Sequence, residues 1–128
     1  MKSHNTKFSE LSKHVIGAAI EVHRNLGPGL LESSYQQCLA HELKLNNINF
    51  TMEHPIALNY KGINLDCGYR ADLIVENQII IEIKSIAQIS PIHTAEILSY
   101  MKLAKLNKGF LMNFNVKVLK QGLRSYIL

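Results

Sequence analysis

Cysteine is scarce in this chain: only Cys38 and Cys67 occur among 128 residues. They lie in unlike contexts without metal-ligand spacing, which excludes a disulfide framework and a zinc site. Both thiols are expected to be reduced and buried as small hydrophobes. Long apolar runs are missing too. The longest, from Leu73 to Ile83, is interrupted by Glu76, Asn77, Gln78 and Glu82, far short of the ~20 residues that span a bilayer. Met1 to Lys13 is polar, with no apolar core or small-residue cleavage site, so a secretory signal is not expected and a cytoplasmic location is. No repeat, linker, low-complexity tract or run of like charge is present. The absence of a Ser/His/Asp elbow and of a Gly-rich phosphate loop removes further enzyme classes.

What the chain does have is an average globular composition, 47% hydrophobic and 19% charged. Its length supports one core, so residues 1–128 are expected to form one domain, with 1–8 as a flexible N-terminus. A formal charge of +4 gives modest attraction to polyanions, compatible with nucleic acid but short of a dense basic patch.

Periodicity divides the chain. Phe8, Leu11, Val15, Ala18, Val22 and Leu26 recur at steps of three and four, predicting a helix from about Ser9, its N-cap, to Asn25. Gly27-Pro28-Gly29 breaks it. A second helix follows, burying Leu31, Tyr35, Cys38, Leu39 and Leu43 and stopping at Asn46-Asn47. From Ile48 to Lys84 the period becomes two, predicting four antiparallel strands with turns at Lys61-Gly62 and Glu76-Asn77-Gln78. Pro91 then opens a helix with Ile97, Leu98, Met101 and Ala104 on its apolar side, closed by Asn107-Lys108-Gly109. Phe110 to Phe114 and Leu123 to Leu128 read as strands. The fold class is therefore α+β or a mixed α/β sandwich.

Three charged groups interrupt apolar strands: Asp72 in Ala71-Asp72-Leu73-Ile74-Val75, and Glu82 and Lys84 in Ile79-Ile80-Ile81-Glu82-Ile83-Lys84. Buried charge needs a partner, solvent or a metal. Alternation puts Glu82 and Lys84 on one face. A three-residue loop at Glu76-Asn77-Gln78 brings Asp72 opposite Glu82 and Arg70 opposite Lys84, leaving Leu73, Val75, Ile79, Ile81 and Ile83 on the core face. Two carboxylates so placed offer hard oxygen ligands to Mg²⁺ or Mn²⁺, which polarises phosphate oxygens and acidifies water. An ion-paired, solvated strand face explains the same residues equally well.

Gly29-Leu30-Leu31-Glu32-Ser33-Ser34-Tyr35 resembles the signature of the GxxExxY protein family, a branch of the PD-(D/E)XK nuclease superfamily. Glu21 to Pro28 is similar to the family's lead-in, and Cys67-Gly68-Tyr69-Arg70-Ala71-Asp72 with Ile81-Glu82-Ile83-Lys84-Ser85 is similar to its catalytic hairpin. With Asn113-Phe114-Asn115, the resemblance covers about residues 9 to 128. It implies a restriction-endonuclease-like central mixed sheet with antiparallel hairpins, flanked by helices. It also implies Mg²⁺ or Mn²⁺ held by Asp72, Glu82, the Ile83 carbonyl and Glu32, with Lys84 beside the attacking water. The expected activity is metal-dependent hydrolysis of phosphodiester bonds in DNA, with RNA left open. The alternative is a catalytically silent nuclease-fold module that binds nucleic acid or regulates. Double-strand cleavage would suggest a homodimer.

Ala71 departs from the motif's Pro, and Glu96 stands where related exonucleases carry Gln, four residues before Tyr100. Helical spacing puts Glu96 and Tyr100 on one face with His93. Tyr35, Arg70, Tyr100, Glu96 and His23 are the candidates for nucleic-acid contact. For Glu32 a helix-dipole role stands beside the site role, and for His23 a structural role stands beside a functional one.

Overall fold

The computed structural model describes residues 2–128, with side chains from residue 10 onward. Helix α1 spans Lys2–Leu26 and α2 spans Glu32–Leu45. α1 begins at Lys2, so Ser9 lies inside it and does not cap it; nothing between Lys2 and Phe8 is a glycine or proline that would end the helix earlier. The predicted stripe on α1 buries Val15, Ala18 and Val22, whereas Leu26 at its end is exposed and the Phe8 side chain lies outside the described residues.

The strands are β1 (Phe50–Pro55), β2 (Leu58–Tyr60), β3 (Ile63–Leu65), β4 (Arg70–Val75), β5 (Ile79–Lys84), β6 (Lys108–Asn113) and β7 (Leu123–Ile127), with α3 (Pro91–Ala104) between β5 and β6. Five strands precede α3 where the sequence predicts four. The extra one arises because the chain breaks between Pro55 and Leu58, so that β2 leaves the main sheet and pairs with β3 across the predicted Lys61-Gly62 turn. That sheet runs β1-β4-β5-β6-β7. All its neighbours are antiparallel except β5 and β6. A parallel pair needs a crossover, which α3 supplies.

One apolar layer joins Val15, Ala19, Val22, Tyr35, Leu39 and Leu43 of α1 and α2 to Leu73, Val75, Ile79, Ile81 and Ile83 of the sheet. The core face expected for the hairpin is the one observed. The other layer joins Ile97 and Met101 of α3 to Ile74, Ile80 and Leu111. α3 is pressed closely against β6: a Cβ on Gly109 would sit 2.7 Å from Met101 Sδ and 3.0 Å from Ile80 Cγ2. The helix ends at Ala104 because Lys105 turns left-handed, φ 59°, and Lys108 and Gly109 already belong to β6, not to a closing turn.

Both cysteines are free and exposed, against the expectation of burial. On α2 the buried positions are Tyr35, Leu39, Ala40 and Leu43. Cys38 falls off that stripe, as does Leu31, which is 74% exposed. Among the described residues no helix is long and apolar enough to cross a membrane.

Candidate functional site

β4 meets β5 with Val75 opposite Ile79, Ile74 opposite Ile80 and Leu73 opposite Ile81. This is the register of a three-residue loop, in which Glu76 and Asn77 take left-handed conformations. One residue further the backbone pairing stops, and side chains take over. The Ile83 N–H donates to Asp72 Oδ2 at 2.7 Å. Asp72 thus reaches across to β5 beside Glu82, as the register predicts, through its carboxylate and not through the ladder.

Pairing fails at Asp72 on its other side as well. β1 and β4 pair from Phe50–Val75 to Met52–Leu73, then resume at His54–Ala71, leaving Glu53 and Asp72 unpaired. Glu53 has φ 50°, a left-handed conformation that costs a non-glycine residue energy. Gln36 on α2 fills the gap: its Nε2 donates to the Asp72 carbonyl at 3.0 Å and to Glu53 Oε2 at 2.6 Å. Neither Gln36 nor Glu53 stands out in the sequence. The only available signal is that Gln36 follows Glu32 by four residues and so shares its side of α2. A left-handed glutamate has no signature at all.

Burial dominates the electrostatics. Glu82 is 5% exposed, and its Oε1 has no hydrogen-bond partner among the described residues. Desolvation, helped by the Asp72 charge and the proton the two carboxyls share, pushes Glu82 up to about 9. Asp72 is raised as well, chiefly by burial, with the Ile83 N–H pulling the other way. Two adjacent carboxyls, Glu82 buried and Asp72 half-buried, therefore hold a proton between them at neutral pH. An orphaned carboxylate oxygen beside a second carboxylate is the donor set of a hard divalent cation, which keeps several waters as further ligands. The residues present fit Mg²⁺ or Mn²⁺. Among the described residues no three His, Cys, Asp or Glu side chains are gathered into a ready cage, which leaves the remaining positions to water and main-chain carbonyls.

Lys84 lies on the Glu82 face, and its Nζ is 3.4 Å from Glu96 Oε1. The charge that departs from the expected glutamine thus meets the lysine of the motif. Tyr100, one turn further along α3, packs against Tyr69 with ring centroids 5.8 Å apart. Its hydroxyl is pushed up to about 12 by burial and by the charges of Glu96 and Glu82, so it remains a donor. Asp72, Glu82, Ile83, Lys84, Glu96 and Tyr100 are brought together.

Glu32 arrives from α2, but its Oε2 accepts the Ser85 N–H at 3.2 Å, which ties down the chain just past Lys84. Asn113 holds the same loop, exchanging hydrogen bonds with the Ile86 N–H and carbonyl.

Three sequence candidates lie elsewhere. Tyr35 is fully buried and stacked on Phe114 at 4.5 Å; its hydroxyl donates to the Gly27 carbonyl and accepts from the Leu30 N–H, so it fastens the Gly-Pro-Gly turn and does not face a ligand. His23 is buried, with Nε2 2.8 Å from the Val116 carbonyl, and has the structural role. Arg70 does not lie opposite Lys84: it pairs with Pro55, and its guanidinium turns to Asp66 and the Tyr69 carbonyl, because the β4–β5 ladder has ended before it.

A family model described as the PD-(D/E)XK nuclease superfamily matches residues 9–126, and the chain belongs to that superfamily. The mixed sheet flanked by helices agrees with it. No curated protein and no solved structure matches the chain.

Proposed function

We propose that the protein is a Mg²⁺- or Mn²⁺-dependent nuclease of the GxxExxY branch that hydrolyses phosphodiester bonds in DNA. The carrying observation is the buried, unpartnered Glu82 Oε1 beside the Asp72 carboxylate, an arrangement that costs stability unless a cation completes it. Asp72 and Glu82 would hold the ion, with the Ile83 carbonyl as a further oxygen source, while Glu32 steadies the chain beyond Lys84 through the Ser85 N–H. When bound, the cation would polarise a phosphate oxygen and lower the pKa of water.

The chain's own groups do the rest. Asp72 is oriented by the Ile83 N–H. Lys84 presents an ammonium on the Glu82 face, positioned to orient the attacking water and to offset charge on the phosphate in the transition state. Tyr100 donates from its protonated hydroxyl, and Arg70 offers a guanidinium to the phosphodiester backbone beyond the site. Free thiols suit a reducing, cytoplasmic setting. One site cuts one strand, so cleavage of duplex DNA calls for a homodimer.

The test is cleavage of single-stranded, linear, circular and branched DNA, with an RNA arm, as Mn²⁺ is titrated. Wild type is expected to cut and Glu82→Ala to lose at least about 100-fold in rate. Equal rates, or no metal binding by wild type, defeat the catalytic reading. A second reading, binding without cleavage, is favoured by one observation: Lys84 is already engaged by Glu96. Under that reading Glu96→Gln, which frees Lys84, switches on a rate that wild type lacks.

A further inference from the structure

We infer that Gln36 and Glu53 form a positioning device for Asp72, the Gln36 amide gripping the Asp72 carbonyl where the β1–β4 register skips Asp72 and so setting the direction of its carboxylate. The inference rests on reading Asp72 as a cation ligand, and assigns to that centre two residues outside its motif.

The interruption is confined to a single residue pair. Residues on either side, Met52 with Leu73 and His54 with Ala71, keep one register, so no inserted residue forces the ladder open as it would in a bulge. What opens it is the left-handed turn of Glu53, φ 50°, at a residue type that gains nothing locally from that conformation. Strain of this sort persists only where surrounding contacts hold it, and it collects at functional sites.

The contact holding it is Gln36, whose single Nε2 bridges the Asp72 carbonyl and Glu53 Oε2. Because Glu53 takes one hydrogen of the amide, the other is aimed at Asp72. Gln36 is half-buried on α2, one helical turn beyond Glu32, which binds the Ser85 N–H. A single rigid helix therefore fixes both limbs of the hairpin, β4 at Asp72 and the end of β5 after Lys84. Outer partners of this kind orient metal ligands and govern affinity without touching the ion.

The experiment measures the metal-free melting temperature and the Mn²⁺ dissociation constant, by calorimetry, for wild type, Glu53→Gly, Glu53→Gln and Gln36→Met. Glycine accepts φ 50° without strain, so Glu53→Gly is expected to raise the melting temperature by about 2–5 °C while weakening Mn²⁺ binding about tenfold or more. Gln36→Met, similar in size but without a donor, weakens binding to a similar degree. Glu53→Gln keeps an acceptor oxygen for Gln36 and is expected to bind within about threefold of wild type. Opposite movement of stability and affinity is what a merely structural pair cannot produce. Unchanged affinity in Glu53→Gly and Gln36→Met overturns the inference, as does a joint fall of stability and affinity in Glu53→Gly. Absence of Mn²⁺ binding by wild type overturns the cation centre and the inference with it.

Discussion

Glu82 concentrates the conflict between folding and chemistry in one side chain. Its ordinary carboxylate value of 4.5 rises to about 9 in the folded protein, so the unfolded chain gives up the proton at a lower pH than the folded one. The stability this proton carries is fully present below about pH 4.5 and is lost as pH rises toward 9. Metal-free wild type should therefore become less stable between pH 5 and 8. Glu82→Gln, which is neutral throughout, should remove most of that slope and stabilise the metal-free protein at pH 8 by on the order of 2–3 kcal/mol. Urea unfolding of both proteins at the two pH values checks this, and parallel slopes would contradict it. In Mn²⁺ the order should reverse, because the amide cannot replace an anionic ligand.

Two elements hold the hairpin from opposite faces, and each is sensitive to spacing. α2 reaches its end through Glu32 and Gln36. α3 covers the other face and carries Glu96 to Lys84, and its approach to the sheet depends on Gly109. Gly109→Ala would push a methyl into Met101, which can shift, and into the stiff, fully buried Ile80, which cannot. Destabilisation of ~1–3 kcal/mol is expected, read as a lower melting temperature, together with a slower cleavage rate as Glu96 and Tyr100 move outward. An unchanged melting temperature would show that α3 is free to settle elsewhere.

These elements also show what could be read in advance. Alternation in Ile79 to Lys84 picked out correctly which residues face the layer of α1 and α2, because a strand has only two faces, but not that Ile80 and Glu82 on the other face are buried too. The end of α3 was not legible: Lys105 turns left-handed to bring Lys108 onto β6, a demand of the parallel pairing and not of the local sequence.

Across the whole molecule the charge of +4 conceals an acidic centre. Glu53, Asp72, Glu82 and Glu96 surround the hairpin end, with Lys84 as the cation among them. A polyanion is repelled from such a surface until a divalent ion reverses the local charge. Binding of a short DNA oligonucleotide, followed by fluorescence anisotropy at fixed ionic strength, is therefore expected to tighten about tenfold or more on replacing EDTA with Ca²⁺. Equal affinity in the two conditions would place the nucleic acid on another surface.

The amino-acid sequence by itself determined the alternation that buries one hairpin face, the charged trio on the other and the helix breaks around it, since these depend on local periodicity and residue chemistry. Only the tertiary structure decided how the trio is held. The side-chain contacts of Asp72 and Gln36 where the strand register breaks off, the left-handed Glu53, the pairing of Lys84 with Glu96 and the hydrogen bonds of Tyr35 and His23 all arise from segments distant in sequence meeting in space. A hydrogen-bonding group shows what it can bind, but its partner is chosen by which surfaces pack together.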